Sequence, residues 1–408
     1  MTDTSPLRIA CVPDSFKGSA TAAEAAAALA RGARQVFPDA QITEIPFADG
    51  GEGTLDALLA VWGREAEAVE VVDAIGRPTT GLVGRTADGR TAVLEAAQGN
   101  GLPQVSDVPL QPLRADTYGV GLLAQHLLDS DPGSVPGSER GGDGGGRSGD
   151  SGRVEEILVC LGGSASTDGG TGLLTALGVR FLDSAGEVVA PGGQGLSSIA
   201  SVDVSGLHPR ASDVRWRIAV DVDNPLTGQH GAAAVFGPQK GADAEDVTAL
   251  DAGLGHLAEV LAAHAGVGIA EYRDAEGFGA AGGIPVGLVA VLGAEVLPGA
   301  QMVGEAVGLA EALAGVDVVL TGEGALDSQS LGGKVVHAVQ RNAPEAAAVV
   351  VIAGAVKLSA ARCREAGLTG AFSIAPGAAE LEDLLERAPE LIEETAAQAC
   401  AVLGHRIG

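Results

Sequence analysis

The first part of the chain alternates short apolar runs with helix-like segments. Residues 7–12 form an apolar run, followed by a loop and by Thr21-Ala-Ala-Glu24, whose spacing is that of a helix capping box. We expect an alanine-rich helix from there to Pro38, because proline disfavours helical backbone in the residue before it. A second apolar run at residues 41–47 leads through a glycine-rich loop into another predicted helix. This order predicts a parallel sheet with crossover helices.

The pattern changes after Trp62. Three short β-like runs follow, separated by turns that contain glycine, at residues 69–72, 79–85 and 92–97. Closely spaced runs of this kind predict antiparallel hairpins, and hence a different domain. Further along the chain, apolar positions with helical spacing predict an amphipathic helix over residues 244–264.

The last third returns to the strand and helix pattern of the first. Buried strands are predicted at residues 317–320, 348–353 and 370–374. Gly51-Glu-Gly-Thr-Leu-Asp56 and Gly322-Glu-Gly-Ala-Leu-Asp327 agree at five of six positions, and each follows a β-like run. We interpret them as equivalent strand-to-helix turns at one edge of a sheet. The sequence therefore predicts a discontinuous α/β domain at residues 1–66 and 287–408, with a mixed α/β domain inserted at residues 67–286.

The composition is that of a folded protein with one unusual segment. The 408 residues are 46% hydrophobic, which is enough to build a sizeable core, and the length predicts two or three domains. Residues 131–153 are rich in glycine and have no apolar periodicity. Because burial cannot offset the entropy of ordering such a segment, we expect a flexible surface insert there.

The charge balance and the apolar runs exclude two classes of partner. With 25 Lys and Arg against 53 Asp and Glu, the formal net charge is −28, and no basic cluster offsets the repulsion of a nucleic acid backbone. The longest mostly apolar runs, at residues 287–297 and 346–356, are shorter than the ~20 residues of a membrane-spanning helix. The polar first residues lack the features of a signal peptide, and the four widely spaced cysteines form no CxxC pair. We therefore expect a cytoplasmic protein with reduced thiols.

Several motifs of nucleotide and catalytic sites are absent. Gly332-Gly-Lys334 lacks the upstream glycine and the following hydroxyl residue of a Walker A motif. Gly277-Phe-Gly-Ala-Ala-Gly282 matches GxGxxG by letter but follows a polar stretch, so it is a weak dinucleotide-binding motif. The chain contains neither GxSxG nor HExxH, and its seven histidines form no set with metal-ligand spacing.

What remains is a set of loops that combine glycine with carboxylates. The loops around Gly50-Gly51, Gly162-Gly-Ser164 and Gly322 let backbone N–H groups approach an anion, although each alone is also explained as a tight turn. The carboxylates in or beside such loops are Asp14, Asp49, Glu52, Asp168, Asp221, Glu323 and Asp327. If several of them share a site, their repulsion requires Mg²⁺ or a shared proton.

Two lysines complete this picture. Lys17 and Lys334 are candidates for phosphate contacts, because cations are scarce in the chain and a lysine in a glycine-containing loop can hold a phosphate. Phosphate-binding loops, Mg²⁺ and carboxylates together indicate phosphoryl transfer without a P-loop. These residues alone name no acceptor.

Seven segments stand out in order along the chain. They are Pro13-Asp-Ser-Phe-Lys-Gly-Ser19, Ala48-Asp-Gly-Gly-Glu-Gly-Thr54, Gly162-Gly-Ser-Ala-Ser-Thr-Asp-Gly-Gly170, Asp221-Val-Asp-Asn-Pro-Leu226, Phe236-Gly-Pro-Gln-Lys-Gly241, Gly279-Ala-Ala-Gly-Gly283 and Thr321-Gly-Glu-Gly-Ala-Leu-Asp-Ser-Gln-Ser-Leu-Gly-Gly-Lys334. Together they resemble the signature segments of the bacterial type I glycerate kinase family, over residues 9–376. Their number and order make the resemblance specific.

The resemblance implies a function and an architecture. It implies ATP- and Mg²⁺-dependent phosphorylation of D-glycerate, with 2-phosphoglycerate favoured over 3-phosphoglycerate as the product. It also implies a flavodoxin-like domain built from both chain ends and an inserted mixed α/β domain. Two alternatives stay open, a kinase of another small hydroxy acid or polyol and a non-catalytic small-anion binding protein. The alanine- and glycine-rich helix faces are compatible with a homo-oligomer as well as with internal packing.

Under this resemblance, the loop residues receive hypothetical roles. Asp168 or Asp221 is the expected base, because each follows a predicted strand of the inserted domain, and Lys17 is a further catalytic candidate. Substrate and phosphate contacts are expected from Asp14, Gly50, Gly51, Gly162, Gly163, Ser164, Asn224 and Lys334. Metal contacts are expected from Asp49, Glu52, Glu323 and Asp327.

Overall fold

The computed structural model describes residues 6–129 and 152–407, so almost all of the predicted flexible insert at residues 131–153 lies outside the described residues. The strands are β1 (Arg8–Pro13), β2 (Gln41–Glu44), β3 (Glu67–Val72), β4 (Pro78–Arg85), β5 (Thr91–Glu95), β6 (Glu156–Cys160), β7 (Arg180–Leu182), β8 (Ser201–Asp203), β9 (Arg215–Val220), β10 (Glu295–Pro298), β11 (Val318–Leu326), β12 (Ala348–Val356) and β13 (Gly370–Ser373).

The α-helices in the same residues are α1 (Ala22–Val36), α2 (Thr54–Trp62), α3 (Ala97–Asn100), α4 (Leu102–Val105), α5 (Tyr118–Asp129), α6 (Thr171–Ala176), α7 (Ala232–Phe236), α8 (Ala244–Ala265), α9 (Ala270–Arg273), α10 (Ile284–Leu292), α11 (Gly299–Ala306), α12 (Leu309–Ala312), α13 (Val335–Asn342), α14 (Ala360–Glu365), α15 (Leu381–Glu386) and α16 (Ala388–Ile407). Short 3₁₀ helices lie at Gly193–Ser198, Pro238–Lys240 and Ala280–Gly282.

The chain divides into two compact units. Unit 1 comprises Met1–Gly63 and Pro298–Gly408, and unit 2 comprises Arg64–Leu297. The sequence analysis placed the two boundaries after residues 66 and 286. The second boundary lies further along the chain because the residues after 286 complete α10, which packs against α6 and α8 within unit 2.

Unit 1 is built on a five-stranded parallel sheet in the order β13-β12-β11-β1-β2. The central strand β1 pairs with β2 on one side and with β11 on the other, so that Ile9 lies beside both Ile42 and Val318. Numbered within the unit, the order is 2-1-3-4-5, which is that of flavodoxin-like sheets. The predicted fold class, α/β with a flavodoxin-like sheet from both chain ends, is confirmed.

One face of this sheet is covered by α1 and α16. The predicted capping box begins α1, because Thr21 Oγ1 accepts from the Glu24 N–H at 3.2 Å and the Glu24 carboxylate accepts from the Thr21 N–H at 2.9 Å. The two helices approach closely at Gly32, where a Cβ atom would lie 2.3 Å from the Glu393 carbonyl oxygen. A residue without a side chain is therefore required at this crossing.

The predicted equivalence of the two similar hexapeptides is wrong. The first segment is a loop that leads into α2 at Thr54, whereas the second lies within β11, which continues to Leu326. The neighbouring strand β12 is long enough to pair with this extension, through Ala325 with Ala355 and Leu326 with Val356. Because the ladder satisfies the backbone groups of the extension, the second segment stays extended instead of turning into a helix.

Unit 2 contains a six-stranded mixed sheet in the order β10-β9-β6-β5-β4-β3. The strands β3, β4 and β5 form the predicted antiparallel hairpins, while β5, β6 and β9 pair in parallel. The predicted amphipathic helix is α8, whose leucines at positions 250, 254, 257 and 261 are fully buried. The inserted mixed α/β architecture is therefore confirmed.

Two expectations about the chain's surroundings can be compared with the fold. Within residues 6–129 and 152–407, no helix is both long and apolar enough to cross a bilayer. Cys11, Cys160, Cys363 and Cys400 are buried and form no disulfide among the described residues. Burial raises the pKa of the Cys11 thiol above its usual range, so this thiol is a packing group of the unit 1 core.

Candidate functional site

The carboxyl ends of β1 and β11 meet where the strand order of unit 1 reverses. Ligands of open α/β sheets bind preferentially at such a switch point. Asp14 directly follows β1, and its N–H donates to the Gly322 carbonyl oxygen at 2.8 Å. Glu323 is the next residue of β11. The parallel pairing of the two strands therefore brings two of the predicted carboxylates to one edge of the sheet.

Asp14 is half-buried and carries a displaced pKa. Burial, and next the negative charge of Asp49, raise the pKa of Asp14 to about 6, against the opposing effects of Ser15 and Lys17. The Ser15 N–H donates to Asp14 Oδ1 at 2.6 Å. A carboxyl group with a pKa this close to neutral pH is stabilised when it binds a cation or a proton.

Glu323 is the second carboxyl group at this edge with a displaced pKa. Burial raises the pKa of Glu323 to about 7, and the charges of Asp14 and Asp327 add to the rise, while Ser330 and Lys334 oppose it. Among the described residues, no hydrogen-bond donor contacts the buried Oε1 atom of Glu323. A buried acceptor without a donor costs free energy, so this oxygen is available to a proton or a cation of a bound ligand.

Asp49 and two lysines share this edge. Lys334 Nζ lies 3.8 Å from Asp49 Oδ2, and Lys17 is exposed in the loop after β1. Asp49 Oδ1 accepts from the Gly51 N–H at 3.2 Å, so this amide, predicted to contact phosphate, is engaged by the protein. Gly50 has a φ of +92°, a backbone conformation that favours glycine.

The other two predicted metal ligands are less favourably placed. Glu52 is exposed, and Asp327 accepts from the Gln329 N–H at 3.0 Å and lies 3.8 Å from Lys357 Nζ. In the described part of the chain, no three acidic, His or Cys side chains are grouped closely enough to hold a metal ion. Mg²⁺ at phosphoryl-transfer sites is held by only one or two carboxylates beside the substrate phosphates. Asp14 and Asp49 have the chemistry of such a pair.

In unit 2, Asp168 is fully buried and saturated with hydrogen bonds. Its Oδ2 accepts from the Thr117 N–H at 2.9 Å, the Thr117 hydroxyl at 2.7 Å and the Gly172 N–H at 3.0 Å. Its Oδ1 accepts from the Ser166 hydroxyl at 3.2 Å and the Gly170 N–H at 3.3 Å. Five donors stabilise the ionised carboxylate and fix the loop that leads into α6. This geometry favours a structural role for Asp168 over the base role predicted from the sequence.

Lys240 is a candidate that the sequence analysis missed. It is 2% exposed, and its ammonium donates to the Ser164 hydroxyl oxygen at 3.0 Å and to the Ser166 carbonyl oxygen at 2.5 Å. Beside Ser164, the predicted phosphate-binding glycines Gly162 and Gly163 are at least partly exposed, and Gly163 has a φ of +72°. The sequence feature that could have identified Lys240 is the rarity of lysine, since only 4 of the 408 residues are lysines.

The remaining predicted residues of unit 2 lie in less enclosed positions. Asp221 is exposed and directly follows β9, and Asn224 donates to the His230 carbonyl oxygen at 2.8 Å.

The sequence analysis also missed Asp116, which is half-buried. Burial, and next the charge of Asp168, raise the pKa of Asp116 to about 6.

A cavity of about 650 Å³ opens in unit 1 beside α11, α12 and α13. Polar side chains contribute to its wall, among them Gln301, His337 and Arg341. Gly333, the residue before Lys334, also lines it. The cavity has a volume typical of small-molecule sites, and Lys334 directly follows one of its lining residues.

Comparison with known proteins identifies the family of this chain. The model of the glycerate kinase family matches residues 9–404. The chain belongs to the glycerate kinase family. It is 41% identical to the glycerate kinase of Bacillus subtilis (strain 168) over 397 residues, which cover 97% of each chain. It is 35% identical to the glycerate 2-kinase of Escherichia coli (strain K12), over 97% of this chain and 98% of that protein.

A solved structure agrees with this assignment to the glycerate kinase family. A crystal structure from Salmonella typhimurium LT2, assigned as a glycerate kinase 2, has a TM-score of 0.84 and 38% identity, over 98% of this chain and 99% of that one. Relatives with this name are phosphotransferases with an alcohol group as acceptor. The predicted enzyme class is thus confirmed at the level of the family.

The pKa of Glu323 predicts a specific effect of pH on stability. Burial raises this pKa from 4.5 to about 7 on folding, so the folded state holds the proton more tightly, and ionisation lowers stability as the pH rises through this range. Glu323→Gln removes this effect. We expect the variant to gain about 1–2 kcal/mol of unfolding free energy relative to the native chain between pH 4 and pH 8, measured by urea denaturation.

The control for this prediction is Glu382→Gln, an exposed position on α15 that removes the same charge from the acidic chain. A relative stability of Glu323→Gln that is equal at pH 4 and pH 8 would show that Glu323 does not titrate as the geometry indicates.

Proposed function

We propose that this protein is a glycerate kinase of the bacterial type I class, which transfers the γ-phosphoryl group of ATP to D-glycerate with the help of Mg²⁺. The observation that carries the proposal is the 41% identity to a glycerate kinase over 97% of both chains. The name of the Escherichia coli relative, glycerate 2-kinase, supports 2-phosphoglycerate rather than 3-phosphoglycerate as the product. The four buried cysteines, which form no disulfide within the described residues, support a cytoplasmic location.

Glu323 is the proton acceptor in this proposal. The hydroxyl oxygen of glycerate forms a bond to the γ-phosphorus of ATP, the bond from that phosphorus to the bridging oxygen breaks, and ADP leaves. The hydroxyl proton must go to a base, and a base titrating near the working pH serves best. Glu323 Oε1 has no hydrogen-bond donor among the described residues, and the pKa of this side chain is about 7.

Lysines and carboxylates near Glu323 are the proposed contacts for the charged groups of the substrates and for Mg²⁺. Lys17 and Lys334 contact phosphate or carboxylate oxygens, because each places an ammonium beside the acidic edge. Asp14 and Asp49 would hold Mg²⁺, because a divalent cation would relieve the repulsion between them. The ion would supply charge neutralisation at the phosphates.

Asp168 and Asp221, the two bases expected from the sequence, have different roles in this proposal. Asp168 is a positioning residue, because both of its oxygens are occupied by donors of its own loop and of Thr117. Asp221 remains a catalytic candidate at the exposed end of β9.

The cavity beside α13 is the proposed site of the adenosine part of ATP. It has room for a base and a ribose, and the residues that line it include Gly333, next to the phosphate-binding Lys334. The Arg341 guanidinium at its wall has no ion-pair partner within the described residues. The wall carries polar groups of both signs, among them Glu305, Glu311 and Arg341, and such groups can contact the base and the ribose of a nucleotide.

The proposed reaction has a direct test. The purified protein should release ADP from ATP and Mg²⁺ only when D-glycerate is added, and ³¹P NMR should show 2-phosphoglycerate. Turnover with another hydroxy acid or polyol, and none with D-glycerate, would assign a different acceptor. A folded sample that binds D-glycerate but never forms ADP would favour the small-anion binding protein.

The base assignment predicts different effects for two conservative substitutions. Glu323→Gln should lower kcat by about 10²-fold or more, because the amide cannot accept the proton. Asp168→Asn should mainly destabilise the protein, by about 1–3 kcal/mol, because an amide nitrogen then faces N–H donors. Steady-state kinetics and urea denaturation of both variants measure the two effects, with Glu382→Gln as the control. A kcat of Glu323→Gln equal to that of the native chain would show that Glu323 is not the base and would favour Asp221.

Filling the cavity tests the position of the nucleotide. Ala338→Phe places a large side chain at the cavity wall and should raise the KM for ATP by about 10-fold or more, while the KM for D-glycerate changes little. Ala361→Phe makes the same change at an exposed position of α14 and serves as the matched control. An unchanged KM for ATP in Ala338→Phe would place the adenosine elsewhere.

A further inference from the structure

The position of Lys240 is unusual for a lysine. The segment Pro238–Lys240 forms a 3₁₀ helix after α7 and carries the side chain into the interior of unit 2, where only 2% of it is exposed. Lysine is almost never fully buried without a partner for its charge. No carboxylate in the described residues lies within 4 Å of its ammonium, which donates to two oxygens of the loop after β6.

The contacts of Lys240 determine what Ser164 can do. Ser164 Oγ accepts a hydrogen bond from the ammonium, so its own hydroxyl hydrogen must point elsewhere. Within residues 6–129 and 152–407, no acceptor binds this hydrogen. A bond from a charged donor also polarises the hydroxyl and makes it a stronger donor in turn. Ser164 therefore offers a directed hydrogen-bond donor beside Gly162 and Gly163.

The charge of Lys240 persists at neutral pH. Burial lowers its pKa to about 8, and the charge of Asp168 opposes this effect, so the ammonium is mostly protonated at pH 7. Asp168 itself is engaged by five other donors. A buried cation whose charge is balanced only from a distance is stabilised by any anion that binds at the adjacent surface.

We propose that Lys240 is the positioning residue of an oxyanion site, in which the Ser164 hydroxyl donates to a carboxylate or phosphate oxygen of the substrates. The inference rests on the proposed function for the identity of the oxyanion, which is the carboxylate of D-glycerate or a phosphate group. Ser164 makes the contact, and Lys240 acts through it. The small residues Gly162 and Gly163 allow the ligand to approach the loop closely.

A double-mutant cycle on binding tests this site without requiring turnover. Isothermal titration with D-glycerate and with inorganic phosphate is carried out on the native chain, Ser164→Ala, Lys240→Met and the double variant. Removal of a charge-assisted hydrogen bond should weaken the affinity for one of the two ligands by about 10- to 100-fold in each single variant. Because Lys240 acts through Ser164, the double variant should bind no more weakly than the weaker single variant. Glycerol, which lacks the carboxylate, is the ligand control.

The arms of this experiment separate the possible results. A loss confined to D-glycerate identifies the carboxylate as the bound group, and a loss confined to phosphate identifies the phosphoryl group. Ser164→Thr retains a hydroxyl and should restore affinity, which a purely packing role of Ser164 does not predict. If Lys240→Met fails to fold, Lys240→Gln takes its place in the cycle.

Two results would overturn the inference. One is native affinity for both ligands in Ser164→Ala, and the other is independent, additive losses from the two single changes. Binding that depends on Ser164 and Lys240 in a protein that phosphorylates no acceptor would uphold this site while refuting the proposed kinase.

Discussion

Unit 1 depends on the parallel pairing of β1 with β11. The two strands lie more than 300 positions apart, and their contacts include a hydrogen bond of 2.7 Å from the Thr321 hydroxyl to the Val12 carbonyl oxygen. This pairing closes the discontinuous sheet, and its register, Pro13 beside Gly322, decides which side chains become neighbours. Asp14 and Glu323 follow immediately, so the two acids are coupled because two strands are paired. Burial is the first cause of the raised pKa of both carboxyl groups, and the charge of Asp49 adds to the rise for Asp14, as the charge of Asp14 does for Glu323.

The hydrogen bonds of buried carboxylates separate structural roles from chemical ones. Asp168 receives five donors, so its charge is fully used in holding the loop before α6. Glu323 has a buried oxygen without a donor in the described residues, and its pKa rises to about 7. A group selected only for stability would be paired or replaced, because unpaired buried acids cost free energy. The contrast explains why two acids in glycine-rich sequence segments receive different roles, although one lies in strand β11 and the other in the loop before α6.

Much of the fold could be predicted from local patterns, whereas the roles of individual acids could not. The capping box at Thr21, the hairpins after Trp62 and the leucine face of α8 follow from spacing alone, because each depends on neighbours along the chain. The course of Gly322–Asp327 depends on the length of β12, which no six-residue window contains. Burial likewise separates Asp168 from Asp221, although both follow strands.

The choice of basic residue adds a further argument about where the chemistry lies. Of the 25 basic residues 4 are lysines and 21 are arginines. Lys334 and Lys357 each lie 3.8 Å from an acid of the unit 1 edge, and Lys17 is in the loop after β1. The Lys240 ammonium donates a hydrogen bond to the Ser164 hydroxyl oxygen. Lysine is a compact point charge that can hold a phosphate and whose pKa responds to burial, whereas the guanidinium is always charged. In a chain that otherwise uses arginine, the position of a lysine is therefore a physical indication of a site for an anion.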